Sequence, residues 1–261
     1  MITAGVDVGS LSTKAVLMKN NNILSWALLP TGTDGTEAAK KVTDAALKES
    51  GLSLRDLKYI VSTGYGRFNV PFAQGNVTEI SCHARGANWL CPQVRTILDM
   101  GGQDCKAIRC DEKGRVLDFA LNEKCAAGTG RYLERVAVTL EIPLDEIGSR
   151  SLQTREGPVS IRNFCAVFAQ NDILISLREG KHSNDILAGA HEAISSRIQD
   201  LLERVGVAEV FMITGGIAKN IGVVKRLEEK VGVKAYIPPE PQIVGALGAA
   251  IFARKELLSS P

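Results

Sequence analysis

Apolar and polar positions along the chain follow two different periods, and these periods predict its secondary structure. Runs of aliphatic and β-branched residues predict strands, whereas apolar positions three and four residues apart predict helices. Strands are expected at residues 2–8, 14–18, 58–62, 94–100, 105–110, 209–214 and 233–237, with one more after the turn at 111–114. Helices are expected at residues 36–50, 79–91, 130–141, 164–180, 184–205, 218–231 and 243–255. This mixture of strands and helices indicates an α/β fold.

The strand–turn–strand unit that opens the chain starts a second time near residue 94. We therefore predict two related domains, residues 1–93 and 94–261, without a low-complexity linker. The final helix is a candidate to pack back on the first domain.

Composition narrows the classes of protein that this chain can represent. With 261 residues, 45% hydrophobic and 23% charged, it has an ordinary globular balance. The formal net charge of +2 gives no support to a general nucleic-acid binder or a polybasic membrane-binding protein. Apolar runs are far shorter than the ~18–20 residues that span a bilayer, and the N-terminus lacks the pattern of a signal peptide. We therefore expect a cytoplasmic protein whose six cysteines are thiols, metal ligands or catalysts rather than disulfides.

Two segments combine a carboxylate at a strand end with a glycine-containing turn: Asp7-Val8-Gly9-Ser10 and Asp99-Met100-Gly101-Gly102. Glycine lets the backbone approach an anion closely, so that its N–H groups can hydrogen-bond the anion. The carboxylates can hold Mg²⁺ through water. Either segment alone is more often an ordinary turn, but two such hairpins facing each other would hold a polyphosphate from both sides. Asp7 and Asp99 are therefore the candidate catalytic carboxylates.

A third glycine-containing segment lies at a predicted strand-to-helix junction: Thr214-Gly215-Gly216-Ile217-Ala218. A glycine pair in this position lets a nucleoside lie against the backbone, where side chains would collide. Ser12 and Lys14 are candidates for further phosphate contacts, with a solvated turn as the alternative. Gln103 is a candidate for positioning the attacking water, because an amide orients water without being a strong base.

Two nucleotide-binding classes are excluded or disfavoured by motifs that the chain lacks. There is no Gly-x-x-x-x-Gly-Lys-Ser/Thr motif, which excludes the P-loop class. No Gly-x-Gly-x-x-Gly follows the first strand, which argues against a dinucleotide-binding fold. The arrangement resembles the actin, sugar-kinase and acetate-kinase superfamily, and this implies two related domains with the nucleotide in the cleft between them.

Two of the six cysteines, Cys125 and Cys165, stand where predicted helices open. The N–H groups and the positive end of a helix dipole favour a thiolate there, although either cysteine alone is more often a buried structural thiol. Two thiolates are half of the four that a [4Fe–4S] cluster needs, and a two-fold dimer axis would supply the other half. Spacing alone does not distinguish this hypothesis from two inert cysteines.

The other four cysteines form no convincing cluster site: Cys82, Cys91, Cys105 and Cys110. Their spacings place the members of each neighbouring pair on opposite faces of a helix or a strand. No Cys-x-x-Cys occurs, which argues against zinc-ribbon, thioredoxin-like and ferredoxin domains.

Six segments carry a resemblance that extends over essentially the whole chain: Asp7-Val8-Gly9-Ser10, Thr63-Gly64-Tyr65-Gly66-Arg67, Ser81-Cys82-His83-Ala84, Gly101-Gly102-Gln103-Asp104, Lys124-Cys125-Ala126-Ala127-Gly128-Thr129-Gly130 and Thr214-Gly215-Gly216. Together they resemble the ATP-dependent activators of 2-hydroxyacyl-CoA dehydratases and the related ATPase subunits of benzoyl-CoA reductase. The resemblance implies a homodimer with one bridging [4Fe–4S] cluster, held by Cys125 and Cys165. It also implies that hydrolysis of ATP to ADP drives an electron from the cluster to a partner iron–sulfur enzyme, with ferredoxin or flavodoxin as donor.

The candidate nucleotide and Mg²⁺ contacts, beyond the catalytic carboxylates and Gln103, are Gly9, Ser10, Ser12, Thr13, Lys14, Gly101, Gly102, Asp104, Gly128, Thr129, Gly130, Gly215, Gly216, Ala218 and Gln242. The partner enzyme stays open between a dehydratase and a reductase. Dehydratase activators tend to read Phe-Ala-Glu-Ser-Glu after the second cysteine, whereas this chain reads Phe168-Ala169-Gln170-Asn171-Asp172.

Two other functional classes remain as alternatives. A small-molecule kinase of the same superfamily would use both hairpins but would leave Cys125 and Cys165 without a role. A non-enzymatic nucleotide sensor or scaffold would bind ATP without turnover. Colour distinguishes both alternatives from the iron–sulfur activator, because an iron–sulfur protein purified without oxygen is brown.

Overall fold

The computed structural model describes residues 1–122, 128–163 and 165–259. The chain divides into two compact units, each built on a five-stranded sheet. The first unit comprises Met1–Val94, Cys110–Leu117 and Gln242–Pro261, and the second comprises Arg95–Arg109 and Asp118–Pro241. The predicted α/β class is confirmed. The α-helices of the described residues are α1 (Gly35–Ser50), α2 (Glu79–Leu90), α3 (Gly130–Leu140), α4 (Ile147–Arg150), α5 (Ala166–Arg178), α6 (Ser183–Val205), α7 (Ile221–Val231) and α8 (Val244–Ser259).

Five strands form the sheet of the first unit: β1 (Ile2–Val8), β2 (Ser12–Lys19), β3 (Asn22–Pro30), β4 (Tyr59–Thr63) and β5 (Gly75–Asn76). They lie in the order β3–β2–β1–β4–β5, with β1 antiparallel to β2 and parallel to β4. This register puts Asp7 opposite Lys14 on one side and opposite Thr63 on the other. The sequence prediction missed β3, an edge strand whose apolar run is interrupted by Ser25.

Helices cover both faces of this sheet. Successive side chains of β2 point to opposite faces, so each set packs against a different helix. Ala15 and Leu17 pack in the cluster that includes Val42 of α1. Val16 and Met18 pack in the cluster that contains residues of α8. The C-terminal helix therefore packs on the sheet that begins with the N-terminal strand.

The sheet of the second unit repeats this arrangement with β6 (Thr96–Met100), β7 (Cys105–Cys110), β8 (Val116–Asn122), β9 (Phe211–Thr214) and β10 (Ala235–Tyr236). The strand order is β10–β9–β6–β7–β8. Strand β6 is antiparallel to β7 and parallel to β9, as β1 is to β2 and β4. Its register puts Asp99 opposite Lys106 and opposite Thr214.

The structure corrects two details of the predicted helices. The helix expected at residues 218–231 is a 3-10 turn over Gly216–Lys219 followed by α7, which begins only at Ile221. The break falls at Asn220, whose side chain accepts hydrogen bonds from Gly222 N and Val223 N and so caps α7. The short helix α4 was not predicted. Among the helices of the described residues, none has the length and apolar character to cross a membrane.

Candidate functional site

The first candidate phosphate hairpin joins β1 to β2. Asp7 lies one residue before the end of β1, and its buried carboxylate Oδ2 is 3.4 Å from Lys14 Nζ on β2. The turn is closed by Gly9 N, which donates to Ser12 O at 3.2 Å. The hairpin therefore brings a carboxylate, an ammonium group and a tight glycine turn close together.

Three other candidates in this hairpin differ in accessibility. Ser10 and Ser12 are half-buried, whereas Thr13 is fully buried. Thr13 Oγ1 lies 2.9 Å from Thr31 Oγ1, and Thr31 in turn donates to Gly9 O at 2.7 Å. The Thr13 side chain thus supports the turn from inside, and its predicted contact to phosphate would have to come from its backbone.

Two glycines pack closely against the Asp7 side chain. Gly64, at the end of β4, has φ +87°, and a Cβ there would overlap Asp7 Oδ1. A Cβ at Gly245 of α8 would lie 3.1 Å from Asp7 Oδ2 and 2.9 Å from His83 Nε2. In the sequence His83 stood out only as part of the Ser81–Ala84 motif, which gave no sign that it lies near Asp7.

The second hairpin joins β6 to β7 and repeats the first in its charged groups. Buried Asp99 Oδ2 lies 3.7 Å from Lys106 Nζ, which is also 2.8 Å from Asp104 Oδ1. Gly101 N donates to Asp104 O at 2.9 Å and closes the turn. Two carboxylates and one ammonium group leave this hairpin with a net negative charge, which suits a hydrated Mg²⁺ ion.

A threonine–glycine pair from the neighbouring parallel strand completes this arrangement. Thr214 Oγ1 donates to Asp99 Oδ1 at 3.0 Å. Gly215 has φ +84°, and a Cβ there would lie 2.9 Å from the same oxygen. The two units thus share one pattern: Asp7, Lys14 and Thr63-Gly64 in the first, and Asp99, Lys106 and Thr214-Gly215 in the second.

Lys106 is the functional candidate that sequence reasoning missed. Its signal was present, because Lys106 follows Asp99 by seven positions, as Lys14 follows Asp7. Of the remaining candidates, Gln103 and Gly216 are exposed, Ala218 is buried, and Gln242 is half-buried within the first unit. Gln103 therefore stands at the open tip of the second hairpin.

The second hairpin is hydrogen-bonded to the beginning of α3. Gly130 N donates to Gly101 O at 3.1 Å, and Arg131 N donates to Gly102 O at 3.0 Å. These are first-turn amides, which have no acceptor within their own helix. Thr129, fully buried, occupies the N-cap position. The glycine backbone of the hairpin and the start of α3 are therefore joined directly.

The cysteines fall into two groups according to their surroundings. Cys165 is half-buried and is the N-cap residue of α5, as predicted, beside the first-turn amides of that helix. Burial raises the pKa of Cys82 to about 12, and burial also raises the pKa of Cys105 far above its usual range. Both thiols are therefore buried and protonated, whereas Cys165 is partly accessible. Cys125 lies outside the described residues, and its role stays a prediction.

Known proteins match this chain along nearly its whole length. The model of the BadF/BadG/BcrA/BcrD ATPase family matches residues 4–253. An activator of lactoyl-CoA dehydratase from Anaerotignum propionicum is 44% identical over 255 residues, 97% of each chain. A benzoyl-CoA reductase subunit from Thauera aromatica is 35% identical over 262 aligned positions, with 96% of this chain and 92% of the relative covered.

Solved structures agree with the fold expected from the sequence. An activator of 2-hydroxyisocaproyl-CoA dehydratase from Clostridium difficile, solved with bound ADPNP, has a TM-score of 0.92 and 40% identity, covering 98% of this chain and 95% of that one. A ROK family glucokinase from Streptomyces griseus has a TM-score of 0.58 over 98% of this chain and 100% of its own. At 13% identity the glucokinase shows the fold alone. The predicted family resemblance is confirmed, and the glucokinase match agrees with the expected fold.

Proposed function

Because the chain belongs to the BadF/BadG/BcrA/BcrD ATPase family, we propose that it hydrolyses ATP to deliver a low-potential electron to a partner enzyme. The observation that carries this proposal is the pair of hydrogen bonds from Gly130 N and Arg131 N to the second hairpin. That hairpin is the candidate phosphate site, and α3 follows the segment that contains Cys125. A movement of this hairpin on phosphate binding would therefore shift the start of α3 and the segment before it, which contains the proposed ligand Cys125.

The residues of the two hairpins would bind and activate the nucleotide. Backbone N–H groups of the glycine turns hydrogen-bond the phosphates, and Lys14 offsets their charge. Asp7 and Asp99 would hold Mg²⁺ through its water molecules, since this ion usually keeps several of them. Gln103, exposed at the hairpin tip, orients the water that attacks the γ-phosphate.

The donor chemistry of the second unit fits an iron–sulfur cluster. Cys165 combines a thiol with the N-terminal amides of α5, and these N–H groups stabilise negative charge on sulfur. We assign Cys165 and Cys125 as its ligands, two from each of two chains. When bound, a [4Fe–4S] cluster supplies a one-electron carrier whose potential depends on charge, hydrogen bonds and solvent.

A homodimer is part of the proposal, because one chain offers only two of the four thiolates. The helix that begins at Cys165 has an exposed apolar face formed by Val167, Leu174 and Ile175. Leu174 and Ile175 follow Val167 by about two helical turns, which places all three on one side of α5. A second copy of the chain seated there would bury this face next to the proposed ligand.

The partner is proposed to be an iron–sulfur enzyme of the 2-hydroxyacyl-CoA dehydratase or benzoyl-CoA reductase type, since relatives named for both match the chain. A ferredoxin or flavodoxin would supply the electron. The described cysteines are thiols, which suits the reducing cytoplasm that we assign to the protein.

Iron content tests this function most simply. Protein purified without oxygen should be brown and contain about four iron atoms per dimer, from four thiolates on two chains. Cys165→Ser should abolish the iron, whereas Cys91→Ser, the matched control, should retain it. Colourless wild-type protein that phosphorylates a small molecule would favour the kinase alternative, and colourless protein that binds ATP without turnover would favour the sensor.

A further inference from the structure

One arginine in α6 contacts both of the segments that precede the proposed cluster ligands in the chain. Arg197 Nε and Nη2 donate to Asn122 Oδ1 at 3.1 and 2.8 Å. Arg197 Nη1 donates to Asn163 O at 3.4 Å. Asn122 stands three positions before Cys125, and Asn163 stands two positions before Cys165. A single guanidinium group thus fixes the ends of two segments that are far apart in sequence.

This contact determines which way the Asn122 amide faces. A guanidinium group has five N–H donors and no acceptor, so the atom that faces Arg197 must be the amide oxygen of Asn122. The oxygen and nitrogen of an asparagine are otherwise assigned only from their partners. The Asn122 Nδ2 donors therefore point away from the arginine.

Asn122 Nδ2 is buried, and within the described chain it makes no hydrogen bond. A Cβ at Gly128 would lie 3.0 Å from this nitrogen and 3.4 Å from Arg197 Cδ. The amide nitrogen thus lies against the first described residue after Cys125. A buried donor without an acceptor is energetically unfavourable, so an acceptor bound at this place would be stabilised.

The position of Gly128 is itself fixed from the sheet. The Cys105 thiol donates to Gly128 O at 2.8 Å, and both groups are buried. The surroundings of Asn122 Nδ2 are therefore held by groups on three elements, β7, β8 and α6. Such support from several elements is typical of groups that orient a bound centre.

We propose that Asn122 is a positioning residue that donates an Nδ2–H hydrogen bond to a sulfur atom of the bound iron–sulfur centre, with its amide oriented by Arg197. The inference rests on the proposed function. Hydrogen bonds to cluster sulfur stabilise the more negatively charged, reduced state, so the bond raises the reduction potential. Asn122 and Arg197 would then help to set the potential at which the centre accepts its electron.

The decisive variant is Asn122→Asp, because it keeps an oxygen for Arg197 and replaces the amide donor by a second carboxylate oxygen. Asn163→Asp is the matched control, since it adds the same charge near Cys165 while Asn163 contacts Arg197 through its backbone oxygen. The dimer with its cluster is reduced without oxygen in D₂O, and exchangeable deuterons and asparagine ¹⁵N near the cluster spin are measured by pulsed electron–nuclear double resonance. A redox titration of the same samples gives the potential.

The proposal predicts a deuteron and a ¹⁵N coupling in wild type and in Asn163→Asp that are lost in Asn122→Asp. The reduction potential of Asn122→Asp should be more negative than that of Asn163→Asp. At the same solution potential, the ratio of reduced to oxidised cluster should be at least twofold lower in Asn122→Asp. If Asn122→Asp folds but binds no cluster, the Arg197→Lys variant tests the proposal instead. It keeps the positive charge and the Asn122 amide but loses the pair of hydrogen bonds from the guanidinium group to Asn122 Oδ1. The ¹⁵N coupling of Asn122 should weaken in this variant.

This inference would be overturned if the couplings and the potential of Asn122→Asp matched those of wild type. The same holds for Arg197→Lys where that variant serves as the test. Either result would leave the proposed function intact. Wild-type protein without iron would overturn both. The two failures are therefore distinguished by the iron content of the wild-type sample alone.

Discussion

Asp7 and Asp99 occupy the same place in two separate sheets, each opposite a lysine on an antiparallel strand and a threonine on a parallel strand. Each buried carboxylate lies next to an ammonium group, and each would hold Mg²⁺ through the water molecules that this ion keeps. Because the geometry is repeated, we expect the same chemical role for both residues.

Replacing either carboxylate by an amide should slow ATP hydrolysis. Asp7→Asn and Asp99→Asn each remove a negative charge that orients metal-bound water, so the rate should fall roughly tenfold or more. Phosphate release under saturating Mg²⁺ and ATP measures this directly. Asp44→Asn, on the exposed side of α1, is the control and should hydrolyse ATP at the wild-type rate. Wild-type turnover in both hairpin variants would reject the assignment.

His191 gives the protein a pH-dependent stability that is independent of nucleotide. It is fully buried, and Nδ1 donates to Leu187 O while Nε2 accepts from Asn220 Nδ2. Burial lowers its pKa to about 4, and the charge of Arg226 acts in the same direction. Below the ordinary histidine pKa the unfolded chain therefore binds a proton that the folded chain does not.

The free energy of unfolding should consequently decrease as the pH falls from about 6.5 to about 4, by about 3 kcal/mol in total from this group. Above pH 6.5 this contribution is fully present. Urea unfolding at several pH values measures it, with the His191→Gln variant as the reference that lacks the titration. Equal pH slopes for the two proteins would show that His191 does not titrate in this way.

At the scale of elements, the junction between the second hairpin and α3 is the part most sensitive to a small change. A Cβ at Gly130 would lie 3.3 Å from Gly102 Cα and 3.4 Å from Gly101 O. These distances are tighter than ordinary carbon contacts, so the hairpin and the helix would have to separate slightly. The two hydrogen bonds from Gly130 and Arg131 would lengthen as a result.

Gly130→Ala should therefore weaken the coupling between ATP and electron transfer while leaving the iron content unchanged. We expect severalfold fewer electrons delivered per ATP hydrolysed, measured together in one anaerobic assay with the partner enzyme. Gly75→Ala is the control, because a Cβ there meets Tyr59 Oη at an ordinary 3.5 Å. The same ratio of electrons to ATP in Gly130→Ala and wild type would contradict the role of this junction.

The elements that could be predicted from the sequence are those with local signals. Helix α1 has a cap at each end, Asp34 and Gly51, and a clear apolar period between them. The two edge strands β3 and β5, the one-turn helix α4 and the break before α7 were missed, because edge position and the Asn220 cap depend on neighbours that the local pattern does not reveal. Boundaries elsewhere were correct to within a few residues.

The candidate site was predictable only in part, for a related reason. The glycine turns follow their carboxylates directly in sequence, so Asp7 and Asp99 could be identified. The approach of Thr214 to Asp99 joins residues 115 positions apart and depends on the parallel register of β6 and β9. The contact of Arg197 with Asn122 likewise requires the tertiary packing of α6 against the end of β8.

The proposed cluster requires two chains, because each chain supplies two of its four thiolates. The exposed apolar face of α5 should be buried by a second copy, and a charge there should oppose association. Leu174→Glu is expected to raise the dimer dissociation constant tenfold or more, measured by sedimentation equilibrium without oxygen. Leu54→Glu, an exposed leucine of the first unit, should leave it unchanged. A Leu174→Glu protein as dimeric as wild type would remove α5 from the interface.

In the proposed function, ATP changes the energy of the electron on the cluster. A nucleotide can shift that energy only by its different affinity for two states of the protein. The most direct measurement is an anaerobic redox titration of the dimer with Mg²⁺–ADP and then with a non-hydrolysable ATP analogue. We expect different midpoint potentials, and a shift of ~60 mV would correspond to ~1.4 kcal/mol for one electron. Identical potentials, with identical cluster access to a chelator and identical partner affinity in the two states, would contradict it.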